Sequence, residues 1–261
     1  MIKVIKKVIL FTLVYELLLC NLSLANVNYT GNFYQISDAN TTAFLDRSSH
    51  TIQIRDLMVM GDSYAVVFSY YNDKSFNFIV HPGYTVKEIY DELLPIYMGQ
   101  YKYLYLFIGA NDFMRQTDMK KFRDTLQEII NFFKLKGTQV ILSSYLDPNY
   151  NTLDSFFMKD LPIPCTDYDA VVKKLTIDNK LLYIDVTDLL YSYGHMPNDF
   201  IHPSESFCKA LRSRLYDIIL DDQAMRAMPN YERVFEINLM TRFAKYNEEI
   251  NRVNNEYFSI P

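Results

Sequence analysis

One serine and one histidine of this 261-residue chain have the setting that acyl-transfer chemistry requires. Ser63 follows an apolar run that stops at Gly61, which predicts a hydroxyl at the end of a buried strand. A serine hydroxyl is a weak nucleophile and needs an adjacent base. His202 suits that role because imidazole titrates near neutrality and can accept and return a proton. Asp199, three residues earlier, is spaced to hold Nδ1–H on a turn or short helical segment and to leave Nε2 facing Ser63.

Two more motifs lie between these residues, with Gly83 in the stretch His81–Thr85 and Asn111 in Ile108–Asp112. In this order the serine, glycine, asparagine and histidine motifs resemble the four blocks of the SGNH (GDSL-type) hydrolases. Each motif alone is a short polar turn. All four occur in order, however, and each lies where a predicted strand meets a loop. The resemblance covers residues Leu57–Tyr216.

The resemblance implies an oxyanion hole made by the backbone N–H groups of Ser63 and Gly83 and by the side-chain amide of Asn111. The residue types suit that task, because a glycine lets the backbone approach a ligand without a Cβ in the way. Each donor of this kind can contribute ~3–4 kcal/mol of transition-state stabilisation. We expect Asp62 and Asp112 to be structural residues whose carboxylates bind loop amides.

A second histidine, His81, competes with His202 for the role of base, because it lies within the glycine motif. No carboxylate is its neighbour in the sequence, whereas His202 has Asp199. A carboxylate bound to one ring nitrogen fixes the tautomer that leaves the other nitrogen as the base. We therefore assign the base to His202.

The chain alternates apolar runs with helix-like segments, which is typical of a parallel sheet with helices on both faces. Strands are predicted at Leu57–Met60, Phe76–Val80, Tyr103–Ile108, Gln139–Ser143 and Leu181–Ile184, and helices at Thr85–Met98, Asp118–Leu135, Asp167–Ile177 and Ser204–Leu220. The predicted architecture is three-layer α/β/α with a central parallel sheet of about five strands, the flavodoxin-like fold that the resemblance implies.

Three local signals fix helix ends near these motifs. Thr85 and Glu88 have the spacing of a capping box just after the glycine motif. Gly137 is placed to end the helix that begins at Asp118. Ser204, after the proline that follows His202, is placed to begin the next helix.

The segment 1–25 has the features of a cleaved signal peptide. It has a basic start, an apolar stretch at Val8–Leu19 and small residues at the cleavage positions in Ser23–Ala25. Glu16 within the apolar stretch argues against a permanent membrane span. An uncleaved anchor and a lipidated Cys20 remain the alternatives. The signal predicts a secreted, extracellular or cell-envelope protein that meets a membrane only through this segment.

The remaining chain is divided by composition. Residues 26–50, rich in Asn, Thr and Ser, are predicted to be a lead-in segment, residues 51–220 the hydrolase domain, and residues 221–261 a helical extension packed on that domain. The segment Tyr145–Thr166, with three prolines, is predicted to be a long loop at a strand's carboxyl end, where open α/β sheets form ligand crevices.

Charge and cysteine content narrow the set of partners. The formal charge is −5, and an acidic protein gains no counterion release from nucleic acid, so none is expected as a partner. Cys165 and Cys208 are compatible with a disulfide or with two buried thiols. No Cys/His cluster has zinc-site spacing, and the resemblance implies no cofactor.

The substrate class is the least determined feature of the sequence. The predicted export favours an extracellular or cell-envelope substrate, and among the esters on which the family acts, the first hypothesis is a small acyl ester, O-acetyl in particular, of a glycan or small molecule. Tyrosines on predicted crevice loops would suit sugar stacking or loop packing; they are Tyr145, Tyr150, Tyr191 and Tyr193. The alternatives are a short-chain lipid or carboxyl esterase, an acetyl-transfer enzyme, and a non-catalytic scaffold of envelope-polymer assembly. Oligomeric state stays open.

Overall fold

A sheet of six strands lies at the centre of the computed structural model, within the part of the chain that it describes. That part is residues 34–36, 56–71, 76–97, 99–144, 161–194, 196, 201–227 and 230–259. The strands are β1 (Tyr34–Ile36), β2 (Leu57–Gly61), β3 (Asn77–Val80), β4 (Tyr103–Phe107), β5 (Gln139–Ser143) and β6 (Leu182–Ile184). Their order is β1-β3-β2-β4-β5-β6, with β1 antiparallel and the other five parallel.

Helices cover both sides of this sheet. They are α1 (Ser63–Tyr70), α2 (Val86–Glu88), α3 (Ala110–Arg115), α4 (Met119–Leu135), α5 (Cys165–Asn179), α6 (Thr187–Tyr193), α7 (Glu205–Arg226), α8 (Tyr231–Phe243) and α9 (Asn247–Phe258). Helix α1 packs on β2, β3 and α7, while α4 and α5 pack on β5. The predicted three-layer architecture with five parallel strands is confirmed.

The parallel strands are buried, except at Gln139 at the start of β5, because helices cover both faces of the sheet. Every residue of β2, β3, β4 and β6 is buried. Such strands need apolar side chains on both faces, which explains why they stand out in the sequence as continuous apolar runs.

The strand order determines where a ligand crevice forms. Without the antiparallel β1, the order β3-β2-β4-β5-β6 is the flavodoxin-like order, and it reverses direction between β2 and β4. Gly61 is in register with Val80 on one side and with Phe107 on the other. The carboxyl ends of these three strands therefore lie level, and the segments that follow them share one edge of the sheet.

The helix-end signals of the sequence are confirmed. Thr85 and Glu88 form both halves of the capping box of α2. Gly137 follows the end of α4 with a φ of 74°, a conformation that glycine adopts without a steric penalty. Ser204 caps α7 through its hydroxyl, which accepts a hydrogen bond from the Phe207 N–H at 3.1 Å.

The helix predicted at Thr85–Met98 is shorter in the structure. Helix α2 continues as one π-helical turn, Ile89–Leu93, and ends there. Leu94 still has helical dihedral angles, but Pro95 has no N–H to donate to a further helical turn, which accounts for the early end. Helices α1, α3 and α6 and strand β1 were not predicted.

The C-terminal region contains two helices, α8 and α9, joined by a 3₁₀ turn at Ala244–Tyr246. Helix α9 packs on α5. The buried carboxylate of Asp167 on α5 pairs with Arg252 and accepts a hydrogen bond from the Tyr257 hydroxyl at 2.8 Å. The assignment of this region as an extension of the domain stays a prediction.

Cys165 and Cys208 are buried thiols, on α5 and α7 respectively, rather than the disulfide that the sequence also allowed. Within the described ranges, no helix combines the length and the apolar character needed to cross a bilayer. The predicted signal segment, most of the lead-in segment and residues 145–160 lie outside those ranges.

Candidate active site

Ser63 is the first residue of α1, two residues after the carboxyl end of β2. It is buried, with 2% of its surface exposed. The turn before it requires a glycine, because a Cβ at Gly61 would lie 2.0 Å from the carbonyl oxygen of Phe107. The Asp62 N–H donates to that same oxygen at 3.2 Å. The serine turn is therefore held tightly against the end of β4.

Asp62 links the serine motif to the asparagine motif. Its Oδ1 accepts the N–H of Tyr64 at 3.0 Å and so caps α1; the bonded amide belongs to the first turn of the helix rather than to a loop as the sequence predicted. Its Oδ2 accepts a hydrogen bond from Asn111 Nδ2 at 3.3 Å. Burial, helped by the negative charge of Asp112 and opposed by the hydrogen bonds from Tyr64 and Asn111, raises the pKa of the Asp62 carboxyl to about 7.

Asn111 lies in the first turn of α3 and joins all three motifs at this edge of the sheet. Its Nδ2 donates to Asp62 Oδ2 and also to the carbonyl oxygen of Tyr84, at 3.1 Å. A primary amide has two N–H hydrogens. An oxyanion that binds Asn111 Nδ2 therefore shares a hydrogen with one of these acceptors or replaces the longer bond to Asp62.

The glycine motif turns sharply between β3 and α2. Gly83 has a φ of 81°, in the left-handed region that glycine tolerates best. Its carbonyl oxygen accepts a hydrogen bond from Arg115 Nη2 at 2.8 Å. One residue beyond the cap, the Val86 N–H donates to Asp112 Oδ2 at 2.8 Å, as expected of a structural carboxylate. Helix α3 thus holds the whole turn from one side.

Arg115 was missed by the sequence analysis. Both of its contacts to Glu88 oxygens are 3.1 Å long, so the arginine connects the capping box of α2 to the Gly83 turn. The available signal was its position four residues after Asn111, which places both on one face once the segment is helical. The segment was not predicted to be helical.

His202 is buried, with 3% of its surface exposed, beside the nucleophile turn. Its ring meets the Tyr64 ring edge-on, with centroids 6.0 Å apart and an angle of 84°. Its carbonyl oxygen accepts the N–H of Met196 at 3.0 Å. The structure thus brings His202 next to the residue that follows Ser63. Asp199 lies outside the described residues, so its bond to His202 stays a prediction.

His81 lies at the end of β3, between the serine and glycine motifs. Its backbone N–H donates to the Gly61 carbonyl at 3.0 Å. Its Nδ1 lies 2.8 Å from the carbonyl oxygen of Pro82. A carbonyl only accepts, so Nδ1 carries the hydrogen in this tautomer. Burial lowers the pKa of His81, which favours the neutral ring.

The predicted sugar-stacking tyrosines are only partly described. Tyr191 and Tyr193 on α6 are 68% and 47% exposed, while Tyr145 and Tyr150 lie outside the described residues. Two residues apart on a helix correspond to a rotation of about 200°, so the two tyrosines of α6 point in nearly opposite directions. They do not form one platform together.

Comparisons with known proteins identify similar folds. No family model matches the chain, and no curated protein matches it. Among solved structures, the acetylxylan esterase Axe2 from Geobacillus stearothermophilus is 18% identical with a TM-score of 0.45, over 62% of this chain and 93% of its own. A GDSL-like lipase from Bacteroides thetaiotaomicron is 15% identical with a TM-score of 0.49, over 67% and 90%.

A third similar structure is LAE5, an alpha/beta hydrolase from the metagenome of Lake Arreo, Spain. It is 16% identical with a TM-score of 0.47, over 62% of this chain and 93% of its own. The neighbours thus include a hydrolase of the GDSL type that the sequence motifs resemble. Each described activity belongs to the neighbour, and the chemistry of this chain has to come from its own residues.

Proposed function

We propose that this chain is a secreted serine esterase that hydrolyses small acyl esters, O-acetyl in particular, on an extracellular or cell-envelope glycan. Ser63 is the nucleophile, His202 the base and Asp199 the residue that orients it. The observation that supports this proposal most strongly is the pair of hydrogen bonds from Asn111 to Asp62 and to Tyr84. They join three motifs, distant in sequence, at the edge where the strand order reverses.

The proposed reaction has two acyl-transfer steps. Ser63 Oγ attacks the ester carbonyl carbon while His202 takes its proton, and a tetrahedral oxyanion forms. The oxyanion collapses, the C–O bond to the alcohol breaks, and His202 returns the proton to the leaving alcohol. Water, deprotonated by His202, then attacks the acyl-enzyme and releases the carboxylic acid and free Ser63.

The surroundings of Ser63 support oxyanion stabilisation. Ser63 begins α1, so its backbone N–H lies at the amino-terminal end of the helix. The positive end of the helix dipole favours negative charge there. Gly83 N–H and Asn111 Nδ2 are the other proposed donors. All three lie in a largely buried edge of the sheet, where such donors act most strongly.

The packing of Tyr64 supports a small acyl group. The Tyr64 ring lies 5.6 Å from the Phe107 ring and 6.0 Å from the His202 ring, measured between centroids. A bulky side chain beside both the nucleophile and the proposed base leaves little room for a long acyl chain. Together with the predicted export signal, this favours acetyl esters of a glycan. The proposal includes no nucleic-acid partner, no cofactor and membrane contact only through residues 1–25.

A fluorophosphonate probe and an ester panel test the proposal. The wild-type protein should label at Ser63 and release acetate from acetylated glycans or from p-nitrophenyl acetate faster than it cleaves longer acyl esters. Ser63→Ala should abolish labelling and lower turnover by several orders of magnitude, about 10⁴-fold or more. His202→Ala should also abolish labelling, because the hydroxyl loses its base.

Ser69→Ala is the matched control. Ser69 lies on the same helix, and its hydroxyl donates to the Val66 carbonyl at 2.6 Å, away from the serine turn. This variant should label and turn over as the wild type does. Wild-type turnover in folded Ser63→Ala would refute the hydrolase proposal, whereas labelling without acetate release would favour the lipid-esterase or acetyl-transfer alternatives. A folded wild type with neither activity would favour the scaffold.

A further inference from the structure

Three successive carbonyl groups of the glycine motif each accept a hydrogen bond from a side chain. The Pro82 oxygen lies 2.8 Å from His81 Nδ1, the Gly83 oxygen 2.8 Å from Arg115 Nη2, and the Tyr84 oxygen 3.1 Å from Asn111 Nδ2. Two of these donors come from α3 and one from the turn itself. Every peptide plane from residue 82 to residue 85 is thus fixed by a side chain.

Fixing the carbonyl of a residue also fixes the N–H of the next residue. The C=O and N–H of one trans peptide unit lie in one plane and point in opposite directions. Because the Pro82 carbonyl points at the His81 ring, the Gly83 N–H points away from that ring. This N–H is the proposed oxyanion donor.

Glycine makes this orientation easy to lose. Gly83 has a φ of 81°, and glycine populates positive and negative φ about equally well. The Pro82–Gly83 peptide could therefore flip at low cost and turn its N–H away from the site. The hydrogen bonds at Pro82 and Gly83 oppose that flip on either side of the glycine.

Both donors are themselves held in place. The His81 ring stacks on the Tyr84 ring, with centroids 3.7 Å apart and an angle of 29°, and the Tyr84 hydroxyl donates to Glu92. The backbone of His81 is bound to Gly61. Arg115 is held by the two carboxylate oxygens of Glu88.

We propose that His81 and Arg115 are positioning residues that keep the Gly83 N–H directed at the oxyanion. This inference rests on the proposed esterase function and assigns His81 a role other than that of the base. It explains why a histidine of the glycine motif is bound to a carbonyl rather than to a carboxylate. It also gives Arg115, whose side chain binds Glu88 and the Gly83 carbonyl, a part in the transition state.

Two substitutions of His81 in the full chain separate the roles. His81→Asn places an amide nitrogen near the position of Nδ1, so it keeps the donor to Pro82 but cannot act as a base. His81→Leu fills the space without a donor. For p-nitrophenyl acetate, we expect kcat of His81→Leu to fall about 10- to 100-fold at a similar KM, whereas His81→Asn stays within about threefold of wild type.

An alkyl trifluoromethyl ketone reports on the oxyanion hole directly, because Ser63 adds to it to form a hemiketal oxyanion. Its inhibition constant should rise in His81→Leu by about the factor by which kcat/KM falls. If the role of His81 is merely structural, His81→Leu should lower the melting temperature and leave both kcat/KM and the inhibition constant of the folded protein unchanged. Equal and severe loss of kcat in His81→Asn and His81→Leu would show that His81 is the base and would overturn the inference.

Arg115→Met provides an independent test on a side chain that is 49% exposed. Arg115→Met should lower kcat at a similar KM. Arg252, on α9, binds Asp167 instead, so the control variant Arg252→Met should lower only the melting temperature. Unchanged kcat and ketone inhibition in both Arg115→Met and His81→Leu would overturn the inference and leave the esterase proposal intact. A wild type that neither hydrolyses esters nor labels with fluorophosphonate would overturn both.

Discussion

Asn111 is the residue on which the candidate site depends most, because its one side chain binds both the serine turn and the glycine turn. The proposed hydrogen bond from the Asn111 amide to the oxyanion forms mainly in the transition state, where the negative charge on the oxygen develops. Asn111→Ala should therefore lower kcat by about 10²–10³ with a small change in KM. Turnover and melting temperature measured on one preparation check this.

Asn77 supplies the matched control for that prediction. It is also a buried asparagine, and its Nδ2 donates to the Leu57 carbonyl at 3.4 Å, at the amino ends of β2 and β3. Asn77→Ala should lower the melting temperature and leave kcat per folded molecule unchanged. If Asn111→Ala behaves in the same way, Asn111 is a structural residue and the oxyanion assignment fails.

Asp112 makes stability depend on pH. Burial raises the pKa of its carboxyl to about 7, whereas an aspartate in the unfolded chain has a pKa of about 3.9. Between these values the folded state holds more protons, so this group's contribution to the free energy of unfolding falls as pH rises from about 4 to about 7. The asparagine of Asp112→Asn cannot ionise and keeps an oxygen for the Val86 N–H. The free energy of unfolding of this variant should therefore decline less over this pH range than that of the wild type.

Urea unfolding at about pH 4.5 and about pH 8 measures that difference. Asp124→Asn is the control of opposite sign, because the hydrogen bond from Lys120 lowers the pKa of the exposed Asp124. A group with a lowered pKa adds stability that is lost only as pH falls below its unfolded pKa of about 3.9, so Asp124→Asn should show the same small deficit at both pH values. Identical pH profiles for Asp112→Asn and wild type would contradict the burial argument.

At the scale of elements, the sequence predicts what burial and caps make visible. The strands β2 to β6 were located to within about two residues, because a strand covered on both faces must be apolar throughout. Helix α1 was missed for the same reason, since six of its eight residues are buried and a helix apolar on all sides has no amphipathic period. Strand β1, only three residues long, has no pattern that distinguishes it from the polar segment around it.

The candidate site also has residues that the local sequence pattern reveals and residues that it does not. Ser63, Gly83, Asn111 and His202 could be predicted as site residues because each lies in a short motif that is visible in the sequence. Arg115 and the carbonyl-binding role of His81 could not be found in this way, because they depend on how α3 packs against the turn after β3. That packing joins residues about thirty positions apart, and no local pattern encodes it.

At the scale of the whole molecule, the strand order positions the site, and the sequence does not contain that order in any local form. Alternation of strands and helices predicts a parallel sheet, but many orders are compatible with it. The observed reversal between β2 and β4 places the segments after these strands side by side. The serine and asparagine motifs meet because of this reversal.

The C-terminal helices should stabilise this arrangement without taking part in catalysis. Asp167 is a buried carboxylate on α5 that depends on Arg252 and Tyr257 of α9 for its partners. Hydrogen bonds to a charged group contribute about 1.5–3 kcal/mol, so Tyr257→Phe should lower the free energy of unfolding by an amount of that order. Arg252→Met should cost more, because it removes the only charged partner that the described residues give this carboxylate.

The two variants share one carboxylate, so their effects should not add. Removal of both partners takes the ion pair and the Tyr257 hydrogen bond from one buried carboxylate, which keeps only the longer contact of 3.5 Å with the Thr166 hydroxyl among the bonds described for it. The double variant should therefore be less stable than either single variant but show a coupling energy, measured by urea unfolding of all four proteins. Ester turnover per folded molecule should be the same in all four. A loss of kcat that exceeds the loss of folded protein would mean that α9 reaches the site, and that the C-terminal region belongs to the catalytic unit rather than serving as its support.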